Sequence, residues 1–249
     1  MLGKRVKVTV DRPLGTCHPQ HEDLYYPVNY GYIEGIIAPD GEEQDAYILG
    51  VEEPVKQFEG IVIAVIHRLN DVEDKWVVAS GDKLYSKSEI KEAVSFQERY
   101  FEYEIITTEV KFYKTVDDGL LKFAVIAART NGKWAFCKHK ERNTYEFPGG
   151  RREEGESIMK TAHRELYEET GATEFELKSV CCYSVKSPDI NNGKETFGLL
   201  CFAEISEFEK ELHFEIDKII LTDKLPKNWT YPLIQPHLLK MITDYQDRC

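Results

Sequence analysis

Residues 146–172 read EFPGGRREEGESIMKTAHRELYEETGA, and this stretch decides the fold of the second half of the chain. Ser157 is a good N-cap, and few helix-breaking residues follow it. Gly171 is a typical residue for ending a helix. Three apolar residues recur at offsets of three and four, which gives one apolar stripe: Met159, Ala162 and Leu166. The stretch therefore predicts an amphipathic helix between Ser157 and Gly171.

The polar face of this helix is strongly acidic. Glu165, Glu168 and Glu169 lie at positions i, i+3 and i+4, so that their carboxylates crowd one face and repel each other. No lysine is interspersed among them to relieve the repulsion. A hard divalent cation such as Mg²⁺ would offset it, because Mg²⁺ takes oxygen ligands and pairs with substrate phosphates. The alternative for an acidic run of this kind is a solvated helix face.

The spacing of the whole stretch decides between these two interpretations. Five residues separate Gly150 from Glu156, and seven separate Glu156 from Arg164. The remaining members of the pattern follow directly: Glu165, Leu166, Glu168, Glu169, Gly171 and Ala172. This pattern resembles the Nudix box, and residues 106–249 are identified as a Nudix hydrolase domain. The resemblance implies an α/β/α sandwich and a metal-dependent hydrolase that acts on phosphorus anhydrides.

The resemblance also implies a metal site, with Mg²⁺ as the expected ion and Mn²⁺ as the alternative. Its ligands would be the carbonyl oxygen of Gly149 and three carboxylates, those of Glu165, Glu168 and Glu169. Glu165 would also deprotonate or orient the attacking water. The family often draws a further carboxylate from a distant loop, and Glu211 and Glu215 remain equal candidates for it.

Two further box residues are expected to support the metal site. Arg164 would orient Glu165 through a charge-assisted hydrogen bond. Glu156 would anchor Arg164 or join the outer shell of the metal.

The substrate is less strongly encoded. Lys138, Lys140 and Arg142 precede the box and are candidates for phosphate contacts, although solvated lysines are an equally good interpretation. Glu146 before FPGG, and the later LPKN run, are similar to the MutT-type branch, which hydrolyses nucleoside triphosphates and their oxidised forms. That similarity implies that Asn228 reads the edge of a purine base.

Residues 1–105 show a different pattern. Short alternating runs predict strands, and a helix is predicted from Ser86 to Tyr100 after a serine cap. Many strands with one late helix favour a small β-barrel closed by that helix. Since no flexible Pro/Ser-rich linker lies between Ile105 and Leu120, two closely packed domains are expected, at 1–105 and 106–249.

The first domain resembles the soluble inorganic pyrophosphatases, which are β-barrel proteins. The matching stretches are Val10-Asp11-Arg12, YPVNYGY, DGEEQDAYIL, Phe58-Glu59-Gly60 and Glu73-Asp74-Lys75. Carried over by position, the metal ligands would be Asp40, Asp45 and Asp74. The phosphate contacts would be Arg12, Tyr30 and Lys75.

The chain departs from this second pattern at several places. Glu42 replaces the middle aspartate of the DGDxxD pattern, and Phe101 replaces a lysine of the closing helix. The hairpin that opens the family fold, which supplies an acid and a lysine, is missing. Retained phosphate binding or a scaffold role is therefore favoured over full pyrophosphatase activity.

Composition narrows the class of partner. The formal net charge is −12 over 249 residues, which argues against a general nucleic-acid surface. The six cysteines show no CxxC spacing and no signal segment is recognisable, so a cytoplasmic protein with reduced thiols is expected. No apolar run is long enough for a membrane span, and a homodimer is left open.

Three functions follow as hypotheses. The first is an Mg²⁺-dependent hydrolase that converts a nucleoside triphosphate to the monophosphate and pyrophosphate, with a first domain that binds or hydrolyses pyrophosphate. The second is a non-catalytic nucleotide-sensing regulator. The third is an inorganic pyrophosphatase with an accessory Nudix domain.

Overall fold

The computed structural model describes residues 1–81, 83–209 and 216–247, and only the backbone of Glu22. The chain forms two compact units, Met1–Thr108 and Glu109–Cys249, and each has its own sheet. None of the helices in the described part of the chain has the length and apolar character needed to span a bilayer.

Among its described residues, the first unit contains eight strands and one helix. The strands are β1 (Arg5–Arg12), β2 (Cys17–His18), β3 (His21–Tyr25), β4 (Asn29–Ile37), β5 (Glu43–Leu49), β6 (Gln57–Arg68), β7 (Lys75–Ala79) and β8 (Tyr103–Thr107). The helix is α1 (Lys87–Glu98), and the predicted capping serine, Ser86, accepts a hydrogen bond from the amide of Glu89. The helix predicted for this region is thereby confirmed.

Five of these strands close into a barrel in the order β1-β4-β5-β7-β6, because β6 pairs again with β1. The pair β5–β7 is parallel and the other pairs of the ring are antiparallel. Strand β6 is long enough to pair with β1 near its start and with β8 near its end.

Alternate residues of the barrel strands supply two separate cores. Val8 and Ile48 belong to the core that the ring encloses, and both are fully buried. Tyr47, next to Ile48, points to the other face and packs with Ile90 and Val94 of α1. The helix therefore covers one outer face of the barrel.

The second unit is a mixed sheet between two helices. Its strands are β9 (Glu109–Tyr113), β10 (Leu121–Thr130), β11 (Lys133–His139), β12 (Gly149–Arg151), β13 (Ala172–Lys186), β14 (Thr196–Phe208) and β15 (Ile216–Thr222). Its helices are α2 (Ile158–Thr170) and α3 (Gln235–Gln246), with short 3₁₀ turns at Asp118–Leu120 and Asn191–Gly193.

The sheet has the order β15-β11-β10-β14-β13-β9, with β10 and β14 parallel and β12 added antiparallel to β10. Ala162 and Leu166 of α2 pack on one face, and Leu238 and Ile242 of α3 pack on the other. The expected α/β/α sandwich is confirmed. Strand β15 is not apparent in the sequence because Asp217 and Lys218 interrupt its apolar run.

Helix α2 has the ends that the sequence predicts. The Ser157 hydroxyl accepts a hydrogen bond from the amide of Lys160 at 3.2 Å. Gly171 ends the helix in the left-handed region, with φ of 66°, and its amide donates to the carbonyl of Tyr167. These two ends fix which residues of the helix lie beside β12 and β10.

Candidate active site

The acidic face of α2 lies against the short strand β12. The amide of Gly149 donates to Oε2 of Glu169 at 2.8 Å, which joins the glycine turn directly to the end of the helix. Glu165 is 8% exposed, whereas Glu168 and Glu169 are half-buried. Two of the three carboxylates therefore remain open to solvent beside a nearly buried one.

Gly150 is required by the close approach of Glu165. A Cβ atom at Gly150 would lie 2.2 Å from Oε1 of Glu165, which is far inside a van der Waals contact. Burial raises the pKa of the Glu165 carboxyl, and the neighbouring Arg164 opposes that rise. A carboxylate held in this way has greater basicity than a solvated one.

Arg164 connects the acidic residues of the box. Its Nη1 donates to Oε1 of Glu165 at 2.8 Å and to Oε2 of Glu168 at 3.0 Å. Its Nε and Nη2 donate to the two carboxylate oxygens of Glu156, each at 3.1 Å. These bonds lower the pKa of Glu156 to about 2, and Thr161 supplies a further hydrogen bond to the same carboxylate. The contacts that the sequence indicated are thus present, while their roles in catalysis remain predictions.

The donor set fits a hard divalent cation. It consists of the Gly149 carbonyl oxygen and the carboxylates of Glu165, Glu168 and Glu169, all of them oxygen ligands. Among the described residues, no three His, Cys, Asp or Glu side chains already converge as a metal cluster. The protein's own donors, Arg164 and the Gly149 amide, hold these carboxylates instead, and a cation would compete with those donors.

A cavity of about 390 Å³ opens beside this face. Its wall includes Gly149, Gly150 and Glu169, which connects it to the box. Most of its other lining residues are apolar or aromatic, among them Phe123, Val125, Tyr183, Phe197, Tyr231 and Leu238. A mostly apolar pocket with a few polar groups at one end is typical of a small-molecule site.

Glu146 contributes a second carboxylate to the cavity wall. It is 8% exposed, and burial raises its pKa, although Arg142 and His139 act in the opposite direction. The guanidinium of Arg142 lies 3.7 Å from Glu146 and also bonds to Tyr231. Glu146 and Arg142 both line the cavity. For Glu146, the position directly before FPGG in the sequence led us to expect a place in the substrate site.

The first unit contains its own charged cluster. Asp45 accepts hydrogen bonds from the Tyr30 hydroxyl and from Nζ of Lys75, each at 2.5 Å. Lys75 also forms an ion pair with Glu73. Asp11 lies close enough to Asp45 to interact with it electrostatically, and Arg12 bonds to Asp11 at 2.7 Å. The cluster combines three carboxylates with two cationic side chains.

Two of the predicted ligands in this unit lie elsewhere. Asp40 accepts a hydrogen bond from the Glu42 amide within an exposed turn. Asp74 turns to His67, at 2.8 Å, and it is Glu73, one position earlier, that reaches Lys75 and Asp45. Successive residues next to a strand point to opposite faces, and the motif alone did not fix which acid faces inward.

Known proteins resemble parts of this chain in sequence or in structure. The sequence pattern of the NUDIX domain matches residues 120–223. Residues 120–223 are a NUDIX domain. A Bacillus subtilis (strain 168) protein named "Putative 8-oxo-dGTP diphosphatase YtkD" is 36% identical over 108 residues, which cover 43% of this chain and 65% of that protein.

Solved structures resemble each of the two units. A mutant of the Bacillus subtilis pyrophosphohydrolase BsRppH is 27% identical, with a TM-score of 0.47, over 55% of this chain and 92% of its own. The inorganic pyrophosphatase from Ehrlichia chaffeensis is 18% identical, with a TM-score of 0.33, over 42% of this chain and 85% of its own.

Three of the predicted substrate contacts of the NUDIX domain do not line the cavity. Lys138 is ion-paired with Asp217 at 2.8 Å, Lys140 is exposed, and the Asn228 amide nitrogen donates to the carbonyl of Asn143. Glu211 and Glu215, the candidates for a further ligand, lie outside the described residues.

Two residues of the cavity wall were not recognised from the sequence. Arg151 is exposed on β12, where its guanidinium lies 5.4 Å from the centre of the Phe123 ring. Gln235 is 3% exposed at the start of α3. The double arginine after Gly150 could have drawn attention to Arg151, whereas no sequence signal distinguishes Gln235 from a surface glutamine.

Proposed function

We propose that this chain is an Mg²⁺-dependent hydrolase that cleaves a nucleoside triphosphate, oxidised purine nucleotides included, to the monophosphate and pyrophosphate. One observation carries the proposal: α2 places three carboxylates beside the Gly149–Gly150 turn, at the edge of a cavity of about 390 Å³. The name of the B. subtilis relative supports a nucleotide substrate.

When bound, a divalent cation would neutralise charge on the phosphate oxygens and would make the attacking water more acidic. Glu165 accepts the proton of that water, since burial raises the pKa of its carboxyl. Arg164 keeps the Glu165 carboxylate in place, and Glu156 in turn fixes Arg164 with two hydrogen bonds. Glu168, Glu169 and the Gly149 carbonyl would hold the cation.

Arg151 is our candidate for the phosphate contact that the sequence assigned to Lys138 and Lys140. It lines the cavity beside Gly150 and forms no ion pair with any described residue. Arg164, in contrast, already serves three carboxylates, and Arg152 is paired with Asp118 at 2.8 Å. An unpaired guanidinium at the rim matches the charge and geometry of a phosphate.

The test is product identification with purified protein, Mg²⁺ and a panel of nucleoside triphosphates that includes 8-oxo-dGTP. We expect monophosphate and pyrophosphate, and we expect Glu168→Gln to reduce kcat by about 100-fold or more, as for loss of a group that stabilises the transition state. Glu176→Gln is the matched control, because Glu176 is an exposed residue of β13. Unchanged turnover in Glu168→Gln would contradict the assignment and favour a nucleotide sensor or a site elsewhere.

We further propose that the first unit binds the released pyrophosphate and draws the reaction forward. The contact of Tyr30 and Lys75 with Asp45 supports this role, because it assembles three residues of the pyrophosphatase-like motifs at one place. Orthophosphate release from pyrophosphate alone would show that the unit is also catalytic. If the nucleotide reaction yields stoichiometric pyrophosphate, and the protein neither binds nor cleaves pyrophosphate, the coupling is refuted.

A further inference from the structure

Gln235 is a buried polar side chain whose amide oxygen has a hydrogen-bond partner and whose amide nitrogen has none among the described residues. Its Oε1 accepts a hydrogen bond from the backbone amide of Phe147 at 3.0 Å. Because a backbone N–H needs an acceptor, this bond decides which end of the side-chain amide is oxygen. The amide nitrogen of Gln235 must therefore point away from Phe147.

The structure gives this nitrogen no partner among the described residues. Gln235 is 3% exposed and lines the cavity, so we place its two N–H groups on the cavity side. A ligand oxygen placed there would accept a hydrogen bond from this nitrogen, whereas a ligand that displaced water without offering an acceptor would leave the donor unpaired and bind less tightly. Aromatic side chains, Phe197 and Tyr231 among them, line the same cavity.

The open donor discriminates between chemical groups. A ring carbonyl oxygen can accept from Nε2, whereas an exocyclic amino group would place two donors face to face. Sites that use a buried hydrogen bond in this way reject the mismatched ligand more strongly than apolar pockets do.

We propose that Gln235 determines substrate specificity by selecting purines that carry a carbonyl oxygen at position 6, guanine and hypoxanthine, over adenine. This inference rests on the proposed nucleotide hydrolase. It differs from the sequence-based expectation for Asn228, whose amide nitrogen is used by the Asn143 carbonyl.

The test compares kcat/KM for GTP, ITP and ATP in the wild type and in Gln235→Glu at pH 9, where the new carboxylate is ionised. Gln235→Glu keeps an acceptor for Phe147 and replaces the open donor by an acceptor. We expect the wild type to prefer GTP and ITP over ATP, and the variant to lose about tenfold or more of that preference, the size expected for one mismatched buried hydrogen bond. ITP separates recognition of the carbonyl from recognition of the 2-amino group of guanine.

Gln246→Glu makes the same change in the last turn of α3, outside the cavity, and should leave the ratio as in the wild type. Gln235→Met serves as a second variant if Gln235→Glu does not fold, and its ratio should approach one. An unchanged GTP/ATP ratio in a folded Gln235 variant, or equal use of the three nucleotides by the wild type, would overturn the inference.

Binding separates this inference from the proposed function. If the wild type cleaves no nucleotide, the proposed function fails, and calorimetric Kd values for GTP and ATP then decide on Gln235. Tighter binding of GTP that is lost in Gln235→Glu supports the selection of a carbonyl. Equal Kd values, or binding of neither nucleotide, count against it.

Discussion

At Gly150, the absence of one carbon atom allows Glu165 to reach the backbone of β12. The space is needed for a side chain and not for a special backbone conformation, because Gly150 does not have positive φ. Displacement of a catalytic group by about 1 Å is enough to lower a rate by about 100-fold. The lack of a side chain at Gly150 therefore allows Glu165, the proposed base, to take its position.

We expect Gly150→Ala to lower kcat of nucleotide hydrolysis by about 100-fold, because its Cβ would collide with the Glu165 carboxylate. Steady-state kinetics with the preferred nucleotide measure this effect. Gly155→Ala is the control: Gly155 has φ of 80° and nothing within 4 Å of its virtual Cβ, so backbone strain is its only penalty. Equal kcat values for the two variants would show that Glu165 does not need its present position.

At the scale of an element, α2 is the part of the molecule that its sequence predicts best. The serine cap, the apolar stripe and the terminal glycine all agree, so local and tertiary preferences reinforce each other. The contacts of Arg164 with Glu156 and Glu165 are those that the resemblance to the Nudix box implied. The sequence did not indicate that Glu73 faces Lys75 and Asp45 or that Gln235 is buried, because both depend on the packing of residues far apart in the chain.

The capping bond of Ser157 allows a direct test of this element. We expect Ser157→Ala to lower the free energy of unfolding by about 1 kcal/mol, since the amide of Lys160 loses its acceptor. Urea denaturation followed by circular dichroism measures the change. Ser95→Ala, in the exposed interior of α1, should be neutral within about 0.5 kcal/mol. If both variants were equally stable, α2 would not depend on its cap.

At the scale of the whole molecule, the first unit contains a buried ionic network that the pyrophosphatase-like motifs do not explain. Glu98 is fully buried and accepts hydrogen bonds from Arg68 at 2.7 and 2.8 Å, and it also bonds to the Tyr47 hydroxyl. The guanidinium of Arg68 also lies 3.6 Å from the centre of the Phe101 ring. A second cation at that position would be repelled by Arg68.

We expect Glu98→Gln to destabilise the first unit by about 3 kcal/mol, because it leaves the buried Arg68 with too little negative charge. Hydrogen exchange over residues 1–81 and 83–108 measures the loss of protection. Glu104→Gln, at an exposed position of β8, is the matched control. Protection equal to that of the wild type would mean that the network contributes little to the stability of the barrel.

The central claim is that the carboxylates of α2 bind a divalent cation, and Mn²⁺ binding followed by electron paramagnetic resonance tests it most directly. The comparison is between the wild type and the triple variant Glu165→Gln, Glu168→Gln, Glu169→Gln, with circular dichroism to confirm the fold. We predict that the triple variant binds at least one Mn²⁺ fewer per chain. Equal stoichiometry and affinity in the two proteins would contradict the claim.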